Sequence, residues 1–179
     1  EAAMYGPKLD FMATDSMGRQ HQVATIQLDM NQPERFDLTC INEEGQKERI
    51  VMIHCAIMGS IERFSAVLIE HLAGVFPLWL SPVQAIVVPI SEKHAGYAKQ
   101  VFDALKSAGI RVTLDESNET LGKKIRNAKT EKMPYLLVVG DEEVKAQTAT
   151  LEGRGGKVGS FAVQDIVHRL LEEIHARAA

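Results

Sequence analysis

The chain has 179 residues, 45% apolar and 25% charged, with a net charge of −4, a balance that excludes a disordered or fibrous chain. No apolar run approaches the roughly 20 residues of a membrane-spanning helix, and no signal peptide is visible. Two cysteines, Cys40 and Cys55, make neither a disulfide framework nor a CxxC pair, which fits a reducing cytoplasm.

In chain order, Gly6-Pro7 marks a tight bend, after which Leu9 and Phe11 alternate with Asp10 as an extended segment. Asp15-Ser16-Met17-Gly18 is a turn, so 8–14 and 19–30 are expected as an antiparallel hairpin. In its second arm strict alternation puts Gln22, Ala24, Ile26 and Leu28 on one face, and Val23, Thr25, Gln27 and Asp29 on the other. The run from Ile50 to Met58 is short, β-branched and closed by Gly59, the pattern of a buried strand. Beyond it Ile61, Phe64, Leu68 and Leu72 recur at helical spacing, with Ser60 where an N-cap belongs. Arg63 stands in the first turn of that helix, where the macrodipole favours an acid. A cation beside unpaired N–H groups is poor for stability and good for holding an anion.

The second half alternates strand and helix. Gly74–Pro82, with two prolines and the only Trp, reads as a packed apolar hinge. Strands are expected over 85–90, 110–115, 135–139 and 145–151, and helices over 94–108, 119–130 and 161–176, with Asn118 placed to cap the second helix. Gly153–Lys157 lacks the GxxxxGK[ST] spacing of a phosphate loop and reads as a hairpin turn. Strands alternating with helices predict an α/β sheet covered on both faces. Residues 1–80 carry 6 Lys/Arg and 11 Asp/Glu, whereas 81–179 carry 14 and 13, with five cations from Lys123 to Lys132. Such a stripe permits RNA contact without demanding it.

Several of these stretches resemble class II aminoacyl-tRNA synthetases, the threonyl-tRNA synthetase family in particular. Met52-Ile53-His54 followed by Gly59-Ser60, Glu62, Arg63 and Phe64 is similar to the third signature motif. Tyr5-Gly6-Pro7-Lys8, the stretch Thr25 to Asp29, and Asn31 to Leu38 match the family's core segments. Asn118 to Arg126 and Pro134 to Val144 resemble its anticodon-binding domain. The resemblance covers essentially the whole chain and implies two domains: 1–80 as the end of an α+β catalytic domain with antiparallel strands, and 81–179 as a mixed-sheet anticodon-binding domain. Because the chain opens at Glu1 inside a motif, it is expected to be a fragment.

By the same resemblance Arg63 contacts ATP, Ser60 lies beside the amino acid, Tyr5 and Gln27 border the threonine pocket, and Lys8 approaches the substrates. His54 is implied as one of three zinc ligands, the other two lying upstream. A zinc site takes at least three protein ligands, and Cys55 faces away from its neighbour on a strand, so this chain alone should not hold zinc. In the second domain Asn118 and Glu143 are implied as tRNA-binding residues, and Arg154, two residues beyond Glu152 and on the same strand face, is expected to stand in for the family's Arg if the following turn allows it. Glu152 stands where the family has an Arg, and Ser117 and Thr120 stand where it has an Arg and a Lys. The implied activity is ATP- and Mg-dependent activation of threonine and its transfer to tRNA(Thr), in a cytoplasmic, homodimeric full-length enzyme. The alternative is a non-enzymatic RNA-binding or regulatory module built from the same domains.

Overall fold

Asp15 closes the first hairpin: its Oδ1 accepts the backbone N–H groups of Met17 and Arg19 at 2.9 Å each, while Gly18 takes φ +78°. β2 (Gly6–Thr14) thereby folds back on β3 (Gln20–Asp29). A computed structural model describes residues 2–177, with side chains from residue 4; Glu1 lies outside the described residues. The chain divides into two units, Glu1–His71 and Leu72–Ala179.

In the first unit, β1 (Ala2–Ala3) and β6 (Met52–Ile57) flank the hairpin, and the sheet is antiparallel in the order β1-β2-β3-β6. Residues 31–49, which carry no readable periodicity, form a short helix α1 (Asn31–Arg35) and a small hairpin of β4 (Thr39–Ile41) and β5 (Lys47–Arg49). Asp29 seeds α1 by accepting the N–H groups of Asn31 and Gln32 on Oδ1 at 3.0 Å each. Helix α2 (Ile61–His71) follows β6.

Two expectations change here. The run 50–58 is not buried: Ile53 and Ile57 are 63% and 76% exposed. With Leu9, Phe11 and Ile26, also exposed, they make an open apolar face, because strict alternation puts all five on one side of the sheet. Alternation along β3 also breaks at Val23, where the pairing slips from Phe11↔Ala24 to Met12↔Gln22. This bulge moves Gln22 onto the face that carries Thr25 and Gln27.

The second unit holds every fully buried aliphatic side chain among the described residues. Its sheet runs β11-β10-β9-β7-β8, with β7 (Ala85–Pro89), β8 (Val112–Leu114) and β9 (Tyr135–Val139) parallel, β10 (Thr148–Gly153) antiparallel to them, and β11 (Gly156–Ala162) antiparallel to β10. On one face Ala85, Val87, Leu137, Val139, Ala149 and Leu151 pack against Ala98, Val101 and Leu105 of α3 (Ala95–Ser107) and Ile166, Val167 and Leu170 of α6 (Val163–Ala176). Helix α4 (Leu121–Thr130) sits against β7 and brings Lys129 to Glu152 of β10 on the other face. Both faces are covered, as expected of a parallel core.

The expected strand 145–151 starts only at Thr148. Residues Asp141–Ala146 form a helix, α5, with three acids in its first turn and Gln147 left-handed at its end, an arrangement the helix dipole favours. Its start is fixed by the Gly140 N–H, which donates to Glu143 Oε2 at 2.9 Å. Nor does Asn118 cap α4: the N-cap position is Thr120, with no side-chain hydrogen bond, and α4 begins three residues beyond Asn118. No helix among the described residues is long and apolar enough to cross a membrane.

The hinge stretch is packed, as its Trp and prolines suggest. Leu78 is 2% exposed within the core. The wholly buried Gln84 donates to Leu78 O at 3.0 Å and accepts the Arg111 N–H at 2.9 Å. The Arg111 guanidinium donates to Ser81 O at 2.8 Å and Trp79 O at 2.9 Å. Gln84→Ala leaves the Arg111 N–H without its acceptor and takes one of two donors from the Leu78 carbonyl, which keeps the Ser81 N–H, so it should cost about 1–2 kcal/mol. Denaturant unfolding followed at the single Trp would read this, and an unchanged midpoint would show that water replaces the amide.

Candidate functional site

The first unit gathers its expected site residues through strand register. Lys8 pairs with Gln27, and Gln27 pairs with His54, so three neighbouring strands place one residue each in a row across the sheet. Directly opposed residues of an antiparallel pair point to the same face, so the three side chains stand together. The Tyr5 ring lies edge-on to His54 with centroids 6.2 Å apart. The chain can turn there because Gly6 lies against the carbonyl of Leu28, where any Cβ would collide with that oxygen. Tyr5 O also accepts the Met30 N–H at 3.2 Å.

Behind this row lies a residue that the sequence reading passed over. The Asp29 side chain is fully buried, and its Oδ2 is 2.8 Å from His54 Nε2, while His54 itself stays 42% exposed. One carboxylate therefore both caps α1 and holds the imidazole. The N–H of Gln32 and then His54 keep the Asp29 carboxyl below its usual range. With Nε2–H donating to the carboxylate, Nδ1 of His54 presents its lone pair, which can coordinate a metal or accept a hydrogen bond.

Ser60 accepts the Arg63 N–H at 3.4 Å and donates to Glu62 at 2.5 Å, so it opens α2 as expected. Arg63 is exposed and shares a cavity of about 140 Å³ with His21, Gln22 and Phe64. Among the described residues no three His, Cys, Asp or Glu side chains gather to hold a metal. His54 and Cys55 point to opposite faces, Cys55 pairing with Ile26 on the apolar side. These residues fit a single ligand of a zinc site and not a complete one.

In the second unit the structure does not bring the expected RNA-contacting residues into one place. Asn118 is exposed at the rim of a crevice of about 690 Å³ beyond the carboxyl ends of β7 and β8. Glu143 lies past the carboxyl end of β9, with Oε1 accepting the Thr150 hydroxyl at 2.7 Å and Oε2 the Gly140 N–H. Burial works against its charge, but the Thr150 hydroxyl, the backbone N–H groups of Glu143 and Gly140, and the Lys157 charge together lower its pKa. Arg154 sits in the β10–β11 turn, beside Gly153, which pairs with Tyr135 at the amino end of β9. It reaches Lys132 O at 3.1 Å, so the turn carries it away from Glu143 rather than beside it.

Glu152 remains on the strand, two residues from Thr150 and on the same face, with Oε2 buried, without a hydrogen bond, and 3.9 Å from Lys129 Nζ. The cationic stripe is thinner than its sequence suggests. Lys124 is 5% exposed, its Nζ near Pro89 O and Asp115. Lys123 pairs with Glu119, Lys129 with Glu152, and Lys132 with Ala73 O.

Comparison with known proteins bears on both units. Residues 1–72 match the family model "tRNA synthetase class II core domain (G, H, P, S and T)", and residues 84–173 match "Anticodon binding domain". The chain is 52% identical over 177 residues to the threonine–tRNA ligase of Magnetococcus marinus, covering 98% of this chain and 27% of that protein. It is 51% identical over 175 residues to that of Natranaerobius thermophilus, covering 97% and 28%. The crystal structure of the RNA binding domain of threonyl-tRNA synthetase from Cryptosporidium parvum superposes with a TM-score of 0.86 at 41% identity, over 97% of this chain and 44% of that one. The chain thus spans only about a quarter of the length of the curated relatives it matches.

Proposed function

The chain belongs to the threonyl-tRNA synthetase family, corresponding to its C-terminal region, and we propose that it supplies the last part of the catalytic site and the anticodon-binding domain of a threonine–tRNA ligase. The observation that carries this reading is the row Lys8–Gln27–His54 with Tyr5 at its edge. Gln27, Tyr5 and Ser60 border the threonine. Arg63 faces the phosphates of ATP and balances charge that develops as the adenylate forms, and Lys8 approaches the substrates. His54, held by buried Asp29, supplies one zinc ligand; zinc, when bound, selects threonine through its amino and hydroxyl groups. A competitor lacking the hydroxyl leaves polar groups unpaired in such a site. The open apolar sheet face supports the view that this unit works within a larger core. The second unit binds tRNA(Thr), with 72–84 travelling with it rather than with the catalytic part. A cytoplasmic homodimer is the expected setting of the full-length enzyme.

The absence of a three-ligand cluster among the described residues favours a narrower role for the 179-residue chain alone, that of a tRNA-binding module without adenylate chemistry. Threonine-dependent pyrophosphate exchange by the purified chain should be undetectable. In the full-length enzyme His54→Ala should abolish both zinc retention and that exchange. Normal zinc content in the variant would remove His54 from the ligand set.

Arg63→Ala in the full-length enzyme should cost on the order of 2–4 kcal/mol in transition-state stabilisation, with the fold intact. An unchanged rate of adenylate formation would return Arg63 to a solvated surface role.

For tRNA, a carboxylate at 152 in place of a cation should make binding salt-sensitive and weakly selective among anticodons. Glu152→Arg should then strengthen binding to tRNA(Thr) in a filter assay. Sharp discrimination by the wild type, lost in Glu152→Arg, would place that residue away from the RNA.

A further inference from the structure

One step along the first-unit sheet from the Lys8–Gln27–His54 row lies a second row that no motif reading singled out. Asp10 pairs across the hairpin with Thr25. Its Oδ1 accepts the Thr25 hydroxyl at 2.7 Å and Gln22 Nε2 at 2.7 Å. Its Oδ2 stands 2.9 Å from Lys8 Nζ, in an ion pair whose members are only 20% and 19% exposed. Lys8 first, and then the Thr25 hydroxyl, lower the Asp10 pKa.

The bulge at Val23 makes this arrangement possible. In an unbroken strand Gln22 would point to the apolar face, three positions from Thr25 and out of phase with it. The slipped pairing places Gln22 opposite Met12 and on the polar face. Its amide then reaches Asp10 and also lies 2.6 Å from Thr25 Oγ1. A local departure from ideal pairing thus adds a second donor to one oxygen of Asp10, and leaves the other oxygen for the Lys8 ammonium. Bulges often re-aim side chains beside active sites.

We propose that Asp10 is a positioning residue for Lys8, and that Gln22 and Thr25 are the supports that fix it. A lysine ammonium is a point charge on a four-carbon stem with many rotamers. A carboxylate pinned by two neutral donors selects one of them before substrate arrives. The proposal rests on the reading that Lys8 meets the substrates. Asp10 itself touches neither threonine nor ATP in it.

The test uses the full-length enzyme and single-turnover adenylate formation. Asp10→Asn keeps the shape and an acceptor for Thr25 and Gln22, and removes the ion pair. It should slow the step roughly 10- to 100-fold, with the KM for threonine and the thermal midpoint unchanged. In a Lys8→Met background the same substitution should have no further effect, because a residue acting only through Lys8 has nothing left to position. Thr25→Val should cost roughly fivefold in the same rate, the worth of one neutral hydrogen bond, and Thr25→Ser should restore it, which keeps the test open if Asp10→Asn does not fold. Additive losses from Asp10→Asn and Lys8→Met, or a normal rate in both Asp10→Asn and Thr25→Val, would overturn the positioning role. A normal rate in Lys8→Met alone would instead overturn the substrate-contact reading on which the proposal rests.

Discussion

The register of three antiparallel strands is the constraint on which the first unit depends. Gln27 sits opposite Lys8 on one side and His54 on the other. Residues separated by nineteen and twenty-seven positions in the chain thereby become immediate neighbours. A slip of one residue at either pairing would turn one member of the row to the apolar face. Two features guard against slippage. Asp15 locks the hairpin turn through bonds to Met17, Arg19 and His21, and Gly6 admits the close approach of Leu28 at the other end. Asp29 adds a third hold, joining the end of β3 to α1 and to β6 with a single carboxylate.

The two units solve the problem of burial differently. The second owns a closed core, with helices on both sheet faces and aliphatic residues near zero exposure. The first owns a polar face rich in hydrogen bonds and an apolar face left open. Its order comes from side-chain to backbone bonds and ion pairs more than from packing. Electrostatically, the acids on the face of the second unit that carries Thr150 are already engaged: Glu143 accepts the Thr150 hydroxyl and the Gly140 N–H, and Glu152 stands 3.9 Å from Lys129. Much of the apparent positive stripe of α4 is internally compensated. An RNA approaching this face meets fewer open cations than a count of lysines suggests.

Periodicity made most of the fold legible. The hairpin, the strand before Gly59, the α2 helix and the parallel core all follow from alternation, helical spacing and Gly or Pro punctuation. The family's motifs single out Tyr5, Lys8, Gln27, His54 and Ser60 by resemblance, and strand pairing sets Lys8, Gln27 and His54 side by side. What escaped has identifiable physical causes. The bulge at Val23 leaves no compositional trace, so strict alternation put Gln22 on the wrong face. Residues 141–147 carry apolar and polar side chains in an order that suits strand or helix; three acids at a helix start and the left-handed Gln147 decided for α5. Asp10 and Asp29 look like ordinary strand acids in sequence, and only pairing shows what each carboxylate holds. Counting alternate residues from Glu152 puts Arg154 on the same strand face, but the strand stops one residue earlier, at Gly153.

The linkage of Gln84, Arg111 and residues 78–81 bears on how such a protein is inherited. The sheet of the second unit starts at Ala85, yet its core includes Leu78, and the NH2 of the buried Gln84 amide donates to a carbonyl seven residues before that strand. A recombination event that joined this sheet to a new partner exactly at its first strand would deliver a unit with a hole in its core and stranded polar groups. The heritable module is therefore longer than the visible architecture. Selection on domain shuffling in such a chain would act on the Phe76–Pro82 segment as strictly as on the strands themselves.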